Sequence, residues 1–365
     1  MIWLLYAICA AAAGYQLVAL AAVLRQLLRR DPKPARFPTV SILKPVHGAD
    51  AFFEAAIRSH TAIDYPSHEV LFGVNHAADE AAESVSALPG ARLYVSPHRQ
   101  PNAKVANLME LERRAMGEIW VVNDGDILVT PEYLRRIVAP LEDPRVGLVT
   151  CLYRPVPLGL PAVWESLGIA IDFAPSTLVA PLVGIDEFGL GSTLCFRAAE
   201  WKAQGGFASI GEYLADDYQL AKRLTKGQAK RAVMSRLIVD TGLRYADWGA
   251  MWRHQIRWAR TIRVSRGEYL GLPVTHAGLW MLAAALCGQW PLAAILLLIR
   301  TLTAFTAARF LLRTSLAWAI PFFPLWDLFA SAVWACAWTG NTIEWRGQTL
   351  PLSATGKLGL GNWNK

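Results

Sequence analysis

Two apolar stretches bracket a long mixed one. From Met1 to Leu24 no residue is charged, and Arg25, Arg29 and Arg30 follow directly. A run of that length predicts one membrane-spanning helix. A cleaved signal peptide carries its positive charge before the apolar run, so this order predicts an anchor over 1–28, with the remainder cytosolic. Pro32, Pro34 and Pro38 cannot continue a helix, which makes 29–38 a linker. A second apolar region runs from about Val274 to Trp338, interrupted by Arg300, Arg309, Arg313, Pro321, Pro324 and Asp327. It predicts two or three helices within 272–342. Two simple spans would leave three arginines on the outer side, against the usual bias, and a hairpin bent around Gly288 to Pro291 would avoid that; both arrangements stay open. Residues 343–365 read as a polar, loosely held tail.

Between these regions, 39–271 is long enough for one globular domain with its own core. Short apolar and β-branched runs at Thr39–Val46, Glu69–Val74, Ala91–Val95, Glu118–Asn123 and Val146–Tyr153 alternate with helix-like stretches. That alternation predicts an α/β fold with a mostly parallel sheet. Ligands of such sheets sit at the carboxyl ends of the strands, which directs attention to Lys44–Gly48, Asn75–Asp79 and Asp124–Asp126.

Composition narrows the class. With 54% hydrophobic and 18% charged residues, the chain is too apolar for an ordinary soluble enzyme and too polar for a pure transporter. The formal net charge of +7 suits an anionic cytoplasmic leaflet better than nucleic acid, and no nucleic-acid partner is expected. The five cysteines are scattered and lack any Cys-x-x-Cys or Cys/His grouping, so reduced thiols are expected and zinc is not.

Three segments carry candidate chemistry. Ile119–Val122 leads into Asn123-Asp124-Gly125-Asp126, an apolar strand ending in two carboxylates. Beside a diphosphate, two such oxygen donors would hold Mg2+ or Mn2+; alone, they more often form an Asx turn. The second segment, Leu214-Ala215-Asp216-Asp217-Tyr218, opens a helical pattern. Asp217 shares its face with Leu214, Leu220, Ala221 and Leu224 and points inward, while Asp216 shares its own with Gln219 and Arg223 and caps; a pair of helix-capping acids is the plain alternative for both. A desolvated Asp217 suits a general base. In the third, Arg253, Arg257, Arg260 and Arg263 form roughly one helical stripe. Arg257 would grip a diphosphate while Trp258 packs on a sugar or acceptor chain, or the stripe rests on anionic headgroups.

Taken in order, Ser41-Ile42-Leu43-Lys44-Pro45, Asp79 in Ala78-Asp79-Glu80-Ala81, Asn102-Ala103-Lys104-Val105-Ala106-Asn107-Leu108, Asp124, Gly191-Ser192, Asp217 and Arg257-Trp258 resemble the ceramide glucosyltransferase family, from Val40 to about His276. The chain is also similar to bacterial hopanoid glycosyltransferases through Leu214–Tyr218 and Arg257–Thr261. The resemblance implies a GT-A, Rossmann-like cytosolic domain in an integral membrane protein, of the bacterial inner membrane. It implies an inverting hexosyltransferase that moves a sugar from a UDP-sugar to a membrane-lipid hydroxyl: ceramide, or a hopanoid polyol with UDP-N-acetylglucosamine as donor. It assigns Asp217 as catalytic base, Lys44, Asp79, Lys104, Asp124, Arg257 and Trp258 to donor binding, and Asp124 with Asp126 to Mg2+ or Mn2+. Two departures stand out: His254 occupies the place of a family Gln or Arg, and Asp124-Gly125-Asp126 looks more like the Asp-x-Asp of wider sugar-nucleotide transferases. A processive polysaccharide synthase is the rival enzyme, and a lipid carrier or sugar-nucleotide sensor the rival without catalysis.

Overall fold

The structure is a computed structural model and describes residues 2–49, 51–185, 187–345 and 348–359. Its centre is an eight-stranded sheet built from β1 (Val40–Pro45), β2 (His68–Val74), β3 (Arg92–Val95), β4 (Ile119–Val122), β5 (Ile127–Leu128), β6 (Val146–Leu158), β7 (Leu194–Arg197) and β8 (Arg231–Arg244). The order is β3-β2-β1-β4-β7-β6-β8-β5. Strands β3, β2, β1 and β4 run parallel, as do β6 and β8, while β7 runs antiparallel between β4 and β6 and β5 antiparallel to β8. The sheet is therefore mostly parallel, as expected, and each of the five apolar runs became a strand.

Both faces of the sheet are covered, which is why β1 and β4 are apolar and buried at nearly every position. On one face Ile42, Val121, Tyr133 and Ile137 share a core under the helix Tyr133–Val138. On the other, Leu43, Trp120, Leu108 and Phe196 pack beneath the helices Ala103–Arg114 and Asp216–Leu224. Strand β6 slips register next to Gly147, and a Cβ there would lie 2.0 Å from the carbonyl oxygen of Leu224. Glycine at this bulge lets the strand touch the backbone at the end of the acid-bearing helix.

Four helices are long and apolar enough to cross a membrane, namely Ile2–Leu28, Leu160–Val183, Trp290–Leu311 and Ser315–Ala337, and Gly267–Thr275 with Ala277–Leu286 forms a pair bent by 51°. The helices fit an integral membrane protein. Leu160–Val183 lies inside the stretch expected to be the globular domain. The first helix is fastened to the sheet rather than tethered loosely: Gln26 Nε2 donates to the Ser235 carbonyl at 2.8 Å and Arg29 to that of Met234 at 2.9 Å. Asp31, in the linker, accepts from Arg136 at 2.7 Å and from the Arg236 N–H at 3.2 Å.

The expected loose tail is folded through residue 359; residues 346–347 and 360–365 lie outside the described residues. Thr342–Trp345 and Gln348–Pro351 pair antiparallel, and Ile343, Leu350, Leu352 and Leu358 bury a small core with Leu214. Its apolar residues alternate too sparsely to stand out in the sequence, but they suffice to pack against Leu214, just before the acid pair.

Gly147→Ala is expected to lose about 1–3 kcal/mol of stability, because the added methyl meets backbone rather than a side chain that can swing away. Thermal unfolding in detergent measures it, and an unchanged midpoint would show that the bulge can yield.

Candidate active site

The ends of β2, β1 and β4 lie side by side, so the segments after them meet. Asp124 is fixed by its backbone, its N–H donating to the Gly191 carbonyl at 3.1 Å. Its Oδ2 lies so near Gly191 that a Cβ there would be 2.6 Å away, the physical reason for glycine in Gly191-Ser192. Asn123 is held below by Nδ2 contacts to His60 Nε2 at 3.1 Å and the Tyr133 hydroxyl at 3.3 Å. Lys44, fully buried, donates to the Asp124 carbonyl at 2.7 Å. Burial pushes the Lys44 ammonium down to about 7 against the pull of Asp126 and Asp124. In this position it braces the Asp124 loop from beneath.

Lys104 is the centre of the cluster. Its Nζ lies 2.8 Å from Asp124 Oδ1 and 2.9 Å from Asp216 Oδ2. Burial alone would lower its pKa, but Asp124, Asp216 and Asp217 together hold it well above the ordinary lysine range. The helix Ala103–Arg114 presents this lysine from its first turn, where Asn102 caps by accepting from the N–H groups of Lys104 and Val105. Asn102 Nδ2 also donates to the Tyr213 carbonyl at 2.8 Å, tying this helix start to the acid-pair loop.

The acid pair corrects the expected geometry. Asp216 is the buried member and carries the ion pair to Lys104, whereas Asp217 is half-buried and turns one oxygen onto the Tyr218 N–H at 2.7 Å. The helix starts at Asp216 with Ala215 as its cap residue, so Leu214 lies off the helix and cannot define its inward face. Asp216 caps nothing. Asp217 nevertheless belongs to the cluster: burial, then the neighbouring Asp216, raise its carboxyl to about 6, opposed by Lys104. Burial and Asp124 likewise raise Asp126, whose Oδ2 accepts from the Thr241 hydroxyl on β8 at 2.7 Å.

Asp79 caps the helix Glu80–Ser86 and joins two loops: His47 Nδ1 lies 2.6 Å from Oδ2, and the Gly48 N–H donates to Oδ1 at 2.8 Å. Burial would raise its pKa, but His47 and the N–H groups of Gly48 and Ala81 hold it below the usual range. Arg257 lies on the helix Trp248–Ser265. Burial lowers its pKa while Tyr245, Asp124 and Glu165 pull it back, which puts it within electrostatic reach of the acids. The other three arginines of the stripe go elsewhere: Arg253 pairs with Glu344 at 3.1 Å, Arg260 reaches the Thr342 carbonyl, and Arg263 the Gly340 carbonyl at 3.2 Å. Trp258 packs between Phe173 and His254, at ring distances of 5.9 and 5.0 Å.

The structure adds residues that the motifs did not single out. Glu165 is fully buried, with Oε1 3.2 Å from His254 Nδ1, and the Tyr245 hydroxyl shares that nitrogen at 2.9 Å. Burial and Glu165 push the Tyr245 phenol far up. A signal for Glu165 existed: it is one of two acids in an otherwise apolar run. Among the described residues no group of three His, Cys, Asp or Glu forms a ready metal cage. Asp124, with its side chain 43% exposed, and neighbouring Asp126 do offer the one or two carboxylates that a phosphate-bridged divalent ion takes from protein.

A family model described as glycosyl transferase family 21 matches residues 4–358. Ceramide glucosyltransferase 1 of Caenorhabditis elegans is 28% identical over 212 residues, 56% of this chain and 45% of that protein. Ceramide glucosyltransferase 3 of the same organism is 26% identical over 234 residues, covering 58% and 48%. The chain thus spans about half the length of these curated relatives. Among solved structures, a mannosyltransferase from Pyrobaculum calidifontis in complex with GDP-Man and Mn2+ superimposes with a TM-score of 0.53 at 21% identity, covering 88% of this chain and 98% of that one. The likeness shows a GT-A-like fold.

The raised Asp217 value has a consequence for stability. Below the ordinary aspartate value of 3.8 both folded and unfolded chains carry this acid protonated; as pH rises from there to about 6, the unfolded chain ionises first and stability falls. Asp217→Asn should therefore raise the unfolding midpoint near neutral pH, and the gain should shrink toward pH 4. Thermal unfolding across that range checks it, and a gain that does not vary with pH contradicts the burial argument.

Proposed function

The chain belongs to glycosyl transferase family 21, and on that premise we propose that it transfers a hexose from a UDP-sugar to the hydroxyl of a membrane lipid, with ceramide as the first candidate and a hopanoid polyol as the second. The observation that carries this reading is the contact of Lys104 with Asp124 and Asp216 at one end of a sheet flanked by apolar helices, with Asp217 and Arg257 within electrostatic reach of them.

In the proposed reaction, Asp217 takes the proton of the lipid hydroxyl as that oxygen bonds to the anomeric carbon. The bond from the anomeric carbon to the diphosphate breaks on the opposite face, so configuration inverts in one displacement and no sugar becomes attached to the protein. A base raised to about 6 is deprotonated near neutral pH yet more basic than a free aspartate. Arg257 faces the departing nucleoside diphosphate with a guanidinium suited to bidentate contact. Lys104 adds a second positive charge while keeping Asp124 and Asp216 from repelling one another. Asp124 and Asp126 would hold Mg2+ or Mn2+, and when bound the ion neutralises charge on the leaving diphosphate.

The apolar helices bear on the acceptor. Glu165 and Phe173 lie on Leu160–Val183, and they touch His254 and Trp258 on the helix that carries Arg257. A lipid at headgroup level meets the acids by lying beside these helices, whereas a soluble acceptor would need no such neighbour.

Membranes containing the protein, supplied with UDP-sugars and either ceramide or a hopanoid polyol, should release UDP only when lipid is present and yield one sugar per lipid by mass spectrometry. A ladder of products points to the polysaccharide synthase, and no release to the carrier. Asp217→Asn should retain donor binding while transfer falls by about 10²–10⁴-fold; substantial surviving transfer removes Asp217 as the base. Wild-type turnover should decline below about pH 6, following the raised carboxyl.

A further inference from the structure

The three arginines that interrupt the C-terminal apolar region have two different fates. Arg300 is buried and paired, with Nη2 2.7 Å from Asp327 Oδ1 and Nη1 donating to the Ile171 carbonyl at 2.7 Å. Arg309 and Arg313 are exposed, and among the described residues neither makes an ion pair. Together with Arg236 of β8, also without an ion pair among the described residues, they line a cavity of about 500 Å³ whose other walls include Leu24, Leu27 and Phe310.

The position of the cavity is fixed by its lining. Leu24 and Leu27 belong to the last turns of the first helix, next to the Gln26 and Arg29 contacts with the sheet. Arg309 and Arg313 are therefore at the same end of the helices as Arg25 and the sheet, not at the opposite end, and the apparent conflict with the charge bias disappears. The cavity is also separate from the acid cluster: Arg236 lies five residues before Thr241, the β8 residue that contacts Asp126.

We propose that this cavity binds an anionic phospholipid, with the headgroup phosphate among Arg236, Arg309 and Arg313 and an acyl chain along Leu24, Leu27 and Phe310. Three cations without carboxylate partners call for an anion. An apolar wall formed by two candidate membrane helices calls for a ligand with a hydrocarbon tail, which free phosphate and a nucleotide lack. The backbone adds an independent observation. Arg313 sits at φ 53°, one of two non-glycine residues in the left-handed region among those described. Glycine would adopt that conformation more easily, so the arginine occupies this position at a backbone cost. A lipid in this cavity would touch the first helix, β8 and the C-terminal helices at once. Because the Arg236 N–H also holds Asp31, it would brace the linker as well.

Native mass spectrometry of the purified full chain in detergent, with phosphatidylglycerol or phosphatidylcholine added, tests this. Wild type should retain phosphatidylglycerol preferentially, and the combined variant Arg236→Gln, Arg309→Gln, Arg313→Gln should lose the preference by about a hundredfold, at about fivefold per arginine. Arg99→Gln, an exposed change elsewhere, should leave it intact. Arg313→Gly gives a check that folding cannot confound, since it removes one charge and relieves the backbone: about fivefold weaker retention with unchanged or raised thermal stability is expected. Equal retention of the anionic lipid by wild type and the triple variant overturns the proposal. So does complete displacement by an equal concentration of inorganic phosphate, which would make the ligand an anion without a tail.

Discussion

Asp124, Asp216 and Asp217 gather at one end of a sheet around Lys104, while Asp126 beside them is held by the Thr241 hydroxyl and the charge of Lys44. Two carboxylates about 4 Å apart repel by about 4 kcal/mol at an effective dielectric of about 20, and low-dielectric surroundings make the conflict worse. The Lys104 ammonium touches Asp124 in the loop after β4 and Asp216 at the start of the helix Asp216–Leu224, so one cation joins two distant parts of the chain. Asn102 holds that lysine in place through the cap and the Tyr213 carbonyl. With Asp124 and Asp216 satisfied by the same ammonium, the charge left over falls on Asp217. Its raised carboxyl follows first from burial and then from the neighbouring Asp216 charge, with Lys104 opposing both.

The sheet and the apolar helices are joined by contacts that leave little freedom between them. Gln26 and Arg29 bond to the backbone of β8, Asp31 bonds to Arg136 and to the Arg236 N–H, and the helix carrying Arg257 rests against Phe173 on one side and the C-terminal hairpin on the other. Arg253, Arg260 and Arg263 serve that hairpin. Only Arg257 is drawn toward the acids, because Asp124 and Glu165 lie on its side and the hairpin supplies carbonyls and a carboxylate on the other. A stripe of four like charges thus divides according to the partners offered along its length.

The strands that position the acids were legible because each is a short apolar run buried on both faces, and such runs need no partner to be recognised. Asp124 and Arg257 were legible through their motifs. Three things were not. The division of labour between Asp216 and Asp217 depended on whether the helix began before or after Ala215, and one residue of helix start turns a face by about 100°. Residues 342–345 and 348–359 fold because Leu214, more than a hundred positions earlier, completes their core. Leu160–Val183 was hidden by Glu165 and Asp172, which break an otherwise apolar run and find partners only in three dimensions, His254 for the first and the Trp326 indole N–H, at 3.3 Å, for the second.

His254 shows why a departure from a family pattern need not mean a lost contact. Glutamine or arginine at this position would present donors to a ligand, but here the neighbour is Glu165, a fully buried carboxylate on an apolar helix. An uncompensated buried acid is costly, and imidazole is the side chain that can face a carboxylate, accept or donate to a tyrosine, and pack its ring at a tilt against an indole at once. His254 does all three, with Glu165, Tyr245 and Trp258. The substitution at 254 and the acid at 165 are therefore one feature, and it fixes the Arg257 helix to the apolar helix beside which a lipid would lie.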